Sequence, residues 1–381
     1  MENNNIPENI QPEQYQQFQP AENISDITQN QVMLRKRIKK GYGWSGLSMV
    51  FQLLFAMAVS IFAAIIYSTI EMAGFMTENP GASYEQLMEF TSEMAQNVAA
   101  DGRYNIAVTA AAYLIGNLSA AAIGIAAVKA FRARDLFIRS RLDAKWISVG
   151  VLSALGIQAV SLFVQGILIN LTGLIGMSEE EASIGNMSDD MFLNVLIILY
   201  YVVIAPITEE ILVRGMIMNS LAPVSRKFAL IASAMLFGLM HGNFNQMFNG
   251  FLLGIILGYI ALKSGSIIPS IIAHMTVNAN VMFCSYVYDY KILEASGEDT
   301  AFTFEMIHFG ILLIIGIIAL VFFLKKNGKI KPEDMVVPEY SYEISPTEGK
   351  KLTWSLLAKC PSVWIVAVIY ILLAISSVTM I

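Results

Sequence analysis

Nine times along its 381 residues the chain runs through an apolar stretch that reaches, or nearly reaches, the roughly 20 residues a helix needs to cross a bilayer. These stretches lie near 45–71, 104–130, 147–175, 190–220, 226–243, 245–264, 266–290, 303–325 and 361–381, the fifth being the shortest. The composition agrees, with 56% hydrophobic and 14% charged residues against about 25% charged in soluble domains. The expected fold is therefore all-α, a polytopic transmembrane helix bundle of about 8–9 spans embedded in a lipid bilayer. A formal net charge of -6 gives no reason to expect nucleic acid as a partner, and two cysteines supply no disulfide framework. No internal repeat is visible, and oligomeric state has no signature in the chain.

The distribution of lysine and arginine sets the expected orientation, because loops rich in these residues stay on the cytoplasmic side. Of the 24 basic residues, 21 fall on one side of an even alternation of nine spans. They cluster at Arg35–Lys40, Lys129–Lys145, Arg226–Lys227, Lys263 and Lys325–Lys359, which leaves Arg103 and Lys291 opposite and Arg214 inside the membrane. The N-terminus is accordingly expected in the cytoplasm and the C-terminus outside. Residues 1–34 are rich in Asn, Gln, Glu and Pro and poor in large apolar side chains, the composition of a disordered tail. The organisation expected is a cytoplasmic tail with a basic end over 1–40, N-terminal transmembrane helices over 41–180, a core over 181–325, and a cytoplasmic linker with a final transmembrane helix over 326–381.

Within that core the apolar sequence is broken by Glu209, Glu210, Arg214, His241, His274 and Asn278. An Arg or Asp at mid-span costs about 2.5–3.5 kcal/mol on insertion scales, so such groups face one another rather than lipid. Glu210 and Arg214 are four residues apart and share a helix face, whereas Glu209 is turned by about 100°. The first two can neutralise each other as a structural ion pair. Glu209 is left over, and burial favours its protonated form, as suits a carboxylate that must accept and return a proton. Phe237 and His241 share a face of the fifth span, and His274 and Asn278 a face of the seventh. Counted from the basic ends, Glu209, His241 and His274 lie roughly 16, 21 and 12 Å deep. Three separate helices thus deliver Glu, His and His/Asn to one level of the bilayer.

The sequence Glu209-Glu210-x-x-x-Arg214, then Phe237-x-x-x-His241, then His274-x-x-x-Asn278 resembles the three signature motifs of the CAAX protease and bacteriocin-processing family, the Abi proteins, which are intramembrane endopeptidases. The resemblance spans about 190–290. It implies that Glu209 with His241 activates the attacking water, that His274 with Asn278 stabilises the oxyanion, and that Glu210, Arg214 and Phe237 support the site. It also implies a peptide or membrane-protein substrate, CAAX-like or a peptide precursor, and a bacterial plasma membrane.

Those residue types suit amide hydrolysis, which needs a base for water, an acid for the leaving amine and donors for the oxyanion. Two versions remain at this point. In one no cofactor is needed; in the other Glu209, His241 and His274 hold a zinc ion with water in the fourth position. Asn278 favours the first, since an amide is a poor zinc ligand and a good oxyanion donor. A non-catalytic immunity or scaffold protein, or a proton-coupled transporter, is the alternative from another class. Glu305 and His308 could form half of a metal site but lack a second pair, and the Gly250, Gly254, Gly258 stripe reads as close helix packing. Pro206, one turn before Glu209, is expected to kink its span.

Overall fold

The computed structural model describes residues 24–129, 131–174, 177–179, 187–331, 333–336, 353 and 355–380. The chain divides into residues 1–37 and residues 38–381, and the second unit holds every site residue named above. Of the expected disordered tail, residues 1–23 lie outside the described residues, while residues 24–34 belong to a helix instead.

The helices are α1 (Ile24–Glu78), α2 (Tyr84–Ala100), α3 (Gly102–Val128), α4 (Ala144–Leu174), α5 (Met191–Leu221), α6 (Arg226–Leu239), α7 (Phe244–Ser264), α8 (Ile268–Cys284, prolonged by a π-helical turn over Ser285–Ile292), α9 (Glu298–Asn327) and α10 (Pro361–Ser376). The fold is thus the all-helical bundle expected. Among the described residues, 6 helices are long and apolar enough to cross a membrane: α1, α3, α4, α5, α7 and α9. The protein is an integral membrane protein. The three remaining stretches expected to span are all helical but do not meet that measure, α6 being 14 residues, or roughly 21 Å, and α10 16 residues. All nine expected stretches are therefore helical, six of them at full spanning length. At Met240 to Asn243 the chain reverses, with Asn243 Oδ1 accepting from Gln246 N at 2.8 Å to start α7.

Close packing comes from small residues, as expected where lipid supplies no hydrophobic drive between helices. Gly156 of α4 and Gly316 of α9 meet so closely that a Cβ on either would collide with the other's backbone. The α6–α7 hairpin closes in the same way, with Gly254 against Ala234 and Gly250 against Gly238.

Polar contacts gather at the two ends of the bundle. At one end the Arg141 guanidinium donates to Leu262 O (3.1 Å), Glu333 O (3.0 Å) and Met335 O (2.8 Å). Beside it, Lys263 Nζ lies 2.6 Å from Asp334 Oδ2 and donates to Lys329 O at 2.8 Å. At the other end Arg103 Nε is 2.6 Å from Asp190 Oδ2, and that guanidinium holds the Asp190 carboxyl below the usual carboxylate range. There too Tyr290 donates to Asp189, and two three-residue strands, β1 (Met177–Glu179) and β2 (Val378–Met380), pair antiparallel.

The basic residues so collected lead to an expected outcome. Cys284 and Cys360 are both buried, so a single introduced cysteine gives a clean report. An impermeant thiol reagent added outside cells should modify Glu89→Cys and spare Lys329→Cys; the reverse pattern would invert the assigned orientation.

Candidate active site

Helix α5 is irregular where it carries the motif. A π-helical turn spans Leu199–Ile204, six residues of α-helix follow over Ala205–Glu210, and a second π segment covers Ile211–Met218. Such insertions concentrate at functional sites. For the first of the two the local cause is Pro206, which has no N–H to give. Because Ala205 N bonds back to Tyr200 O, the Tyr201 carbonyl is the one that Pro206 leaves without a helical donor. Asn278 Nδ2 donates to it at 2.8 Å. Pro206 therefore changes the winding of the helix, and the carbonyl it frees anchors a motif residue of α8.

The two carboxylates diverge as their angular offset requires. Glu210 Oε1 accepts from Arg214 Nη1 at 2.7 Å, both side chains having no solvent exposure. Arg214 Nη2 donates to Gly254 O at 3.1 Å, and the guanidinium carbon sits 4.4 Å from the Phe237 ring centroid, within cation–π range. Glu210 Oε2 and Arg214 Nε find no partner among the described residues, so the pair is incompletely satisfied. Glu209 points to the other side, its Oε2 3.8 Å from His274 Nε2.

His274 bridges the two carboxylates, a contact that spacing along the chain did not reveal. Its Nδ1 lies 3.1 Å from Glu210 Oε1. Since Glu210 is paired with Arg214 and accepts there, Nδ1 carries the proton and Nε2 is the atom turned to Glu209. Phe237 packs edge-on against this ring at 5.6 Å and 90°, and against His241 at 5.2 Å and 83°.

His241 lies just past the end of α6, in the turn, rather than on the helix as its four-residue spacing from Phe237 implied. His241 N bonds to Gly238 O at 3.2 Å, which leaves the Phe237 carbonyl among the orphan acceptors of a helix end. The His241 side chain takes it, with Nδ1 2.8 Å from Phe237 O. A carbonyl only accepts, so Nδ1 is protonated and Nε2 keeps its lone pair. Gly250 makes room for this ring: a Cβ there would lie 3.0 Å from His241 Cε1. The glycine stripe of α7, read from the sequence as packing alone, thus also seats the imidazole and supplies a carbonyl to Arg214.

All seven motif residues therefore meet at one place formed by α5, α6, α7 and α8, with Glu209, Glu210, Arg214, Phe237 and His274 buried and His241 and Asn278 half-buried. Among the described residues no group of three or more His, Cys, Asp or Glu is arranged to hold a metal ion. His308, the third histidine, is elsewhere, its Nε2 2.9 Å from Asn280 Oδ1. Sequence reasoning also missed Asn117 of α3, whose amide donates to Thr208 Oγ1 at 2.9 Å beside Glu209. A buried Asn next to small residues was its only signal.

The fold and the site define a helical membrane protein with a Glu–His–His–Asn cluster set within the bundle. Residues 191–280 match the Rce1-like family model, type II CAAX prenyl endopeptidase Rce1-like. All three motifs lie inside that segment, so the resemblance to CAAX proteases seen in the sequence is borne out. No curated protein and no solved structure matches the chain.

The Glu210–Arg214 pair leads to a stability prediction. Arg214→Ala strands a buried carboxylate and should cost on the order of 3–5 kcal/mol, read as a lowered melting temperature in detergent. Glu210→Gln combined with Arg214→Met leaves no lone charge and should recover most of that loss. It should remain slow in turnover, because His274 has lost the carboxylate that orients it. A double variant as unstable as Arg214→Ala would remove the ion pair from the account.

Proposed function

We propose that the protein is a metal-independent intramembrane endopeptidase, with Glu209 as the base. The observation that carries this reading is the orientation of the two imidazoles around one carboxylate. His241, with Nδ1–H given to Phe237 O, offers an Nε2 lone pair to a water shared with Glu209. Glu209 takes the proton as the water oxygen attacks the peptide carbonyl carbon. His274 Nε2, 3.8 Å away, receives it and then carries positive charge beside the oxyanion. Asn278 commits one amide N–H to Tyr201 O and has a second for the same oxygen. Collapse of the tetrahedral intermediate breaks the C–N bond, and the proton passes to the leaving amine. Glu210 and Arg214 keep His274 in register, and Phe237 spaces the two rings.

The substrate proposed is a membrane-associated peptide or protein tail of the CAAX kind, which the matched family's description supports. The basic end of the bundle, with Arg141 and Lys263, is assigned to the cytoplasm of a bacterial plasma membrane, so the tail reaches the site from that face or through the lipid.

The direct test uses a fluorescence-quenched peptide ending in an S-farnesylated CAAX box. Glu209→Gln keeps the shape and removes the base, so kcat should fall about 10²–10⁴-fold while the protein still inserts and binds the peptide. Unchanged turnover, or unfolding as severe as that of Arg214→Ala, would assign Glu209 to the structural network.

The metal-free version carries its own expected outcome. Turnover should survive prolonged exposure to a strong chelator, with purified protein holding less than one metal per chain. Activity that disappears with chelator and returns with Zn²⁺ would overturn it.

A further inference from the structure

The three motifs provide donors for one carbonyl oxygen, the scissile one, through Asn278 and His274. An extended peptide presents a backbone carbonyl about every 3.4 Å, and in a cavity poor in water each of them needs a donor. The described side chains around Glu209 include two that are equipped for this and unused. Tyr113 of α3 and Tyr200 of α5 pack edge-on, their ring centroids 5.9 Å apart at 68°, and Tyr200 packs in turn on Tyr201 at 4.7 Å. Neither phenol hydroxyl has a hydrogen-bond partner among the described residues. Glu209 acts electrostatically on both. Neither hydroxyl is among the side-chain atoms that are both buried and unpartnered, so each opens on space the described residues leave free and can reach a group that is not part of the chain.

The position of Tyr113 is fixed by its own helix. Asn117, one turn further along α3 on the same face, is fully buried and donates to Thr208 Oγ1 at 2.9 Å. Thr208 Oγ1 in turn donates to Ala205 O at 3.2 Å. This chain of bonds clamps α3 against the short helical segment that carries Glu209. Tyr113 therefore stands one turn from that clamp and against Tyr200, toward the end of the bundle where Arg103 and Asp190 lie. Gly116 permits the same helix to approach α1 closely, a Cβ there coming 2.9 Å from Gln52 O.

We infer that Tyr113 is a substrate-contacting residue: its phenol donates a hydrogen bond to a backbone carbonyl of the bound peptide next to the scissile one. Tyr113 lies outside both the three motifs and the matched segment 191–280. The contact reads peptide backbone rather than side chains, so it holds the chain in register without selecting sequence. It rests on the endopeptidase reading for the name of the ligand, and the experiment separates the two.

The variant is Tyr113→Phe, which removes one oxygen and keeps the ring, with Tyr104→Phe as control because Tyr104 lies at the start of α3 and packs on Tyr67 instead. The farnesylated quenched peptide is the probe. Tyr113→Phe should lower kcat/KM at least about 10-fold, the loss of one hydrogen bond made in a desolvated site, with no change in melting temperature. Tyr104→Phe should match the parent. In the Glu209→Gln background, Tyr113→Phe should weaken binding of the same peptide by a similar factor. Unchanged kcat/KM and unchanged binding would overturn the inference. So would a loss of activity accompanied by a lower melting temperature and unaltered peptide binding, which makes Tyr113 a packing residue. If the parent binds the peptide in a Tyr113-dependent way but never cleaves it, the endopeptidase reading fails and this inference stands. If the parent neither binds nor cleaves, both fall.

Discussion

The buried pair between Glu210 and Arg214 is the contact on which the centre of this molecule depends. Neither charge can be placed alone in hydrocarbon, so wherever the pair goes, partners must follow. Arg214 draws in the Gly254 carbonyl from α7 and the Phe237 ring from α6. Glu210 draws in His274 from α8. Four elements are thereby drawn together by the needs of two adjacent side chains on α5.

A second theme is the use of carbonyls that irregular helices leave free. Pro206 withholds a donor, and the Tyr201 carbonyl is taken by Asn278. The end of α6 releases the Phe237 carbonyl, and His241 takes it. In both cases a defect in backbone bonding, costly if unmatched in lipid, is repaired by the side chain that then has a fixed orientation for chemistry. The irregularity and the site are thus one feature. In a regular α-helix Pro206 would free the Val202 carbonyl; the π-helical turn over Leu199–Ile204 moves the free acceptor to Tyr201, where Asn278 holds it.

Glycine has a related role in the hairpin of α6 and α7. Without side chains at Gly238, Gly250 and Gly254, the two helices approach until backbone meets backbone. That closeness leaves the space occupied by the His241 ring and presents the Gly254 carbonyl to Arg214. Packing and function are not separable there, although the four-residue glycine spacing taken alone speaks only of packing.

Much of this was legible in the chain. Long apolar runs fix a helical membrane fold because a backbone in lipid must satisfy its own polar groups. Six polar residues inside those runs mark the site because burying them singly is too costly. The angle between Glu209 and Glu210 follows from helical geometry, as does the partner of Arg214. Periodicity does not report where a helix stops within an apolar run, and α6 ends at Leu239, short of the expected 243. Nor does it report contacts between helices. That His274 bridges both carboxylates, that Asn278 answers Pro206, and that Asn117 of α3 bonds Thr208 next to Glu209 were decided only when the helices packed. The physical reason is that helix faces are set by residues three and four apart, whereas the choice of which faces meet depends on the complementarity of whole surfaces.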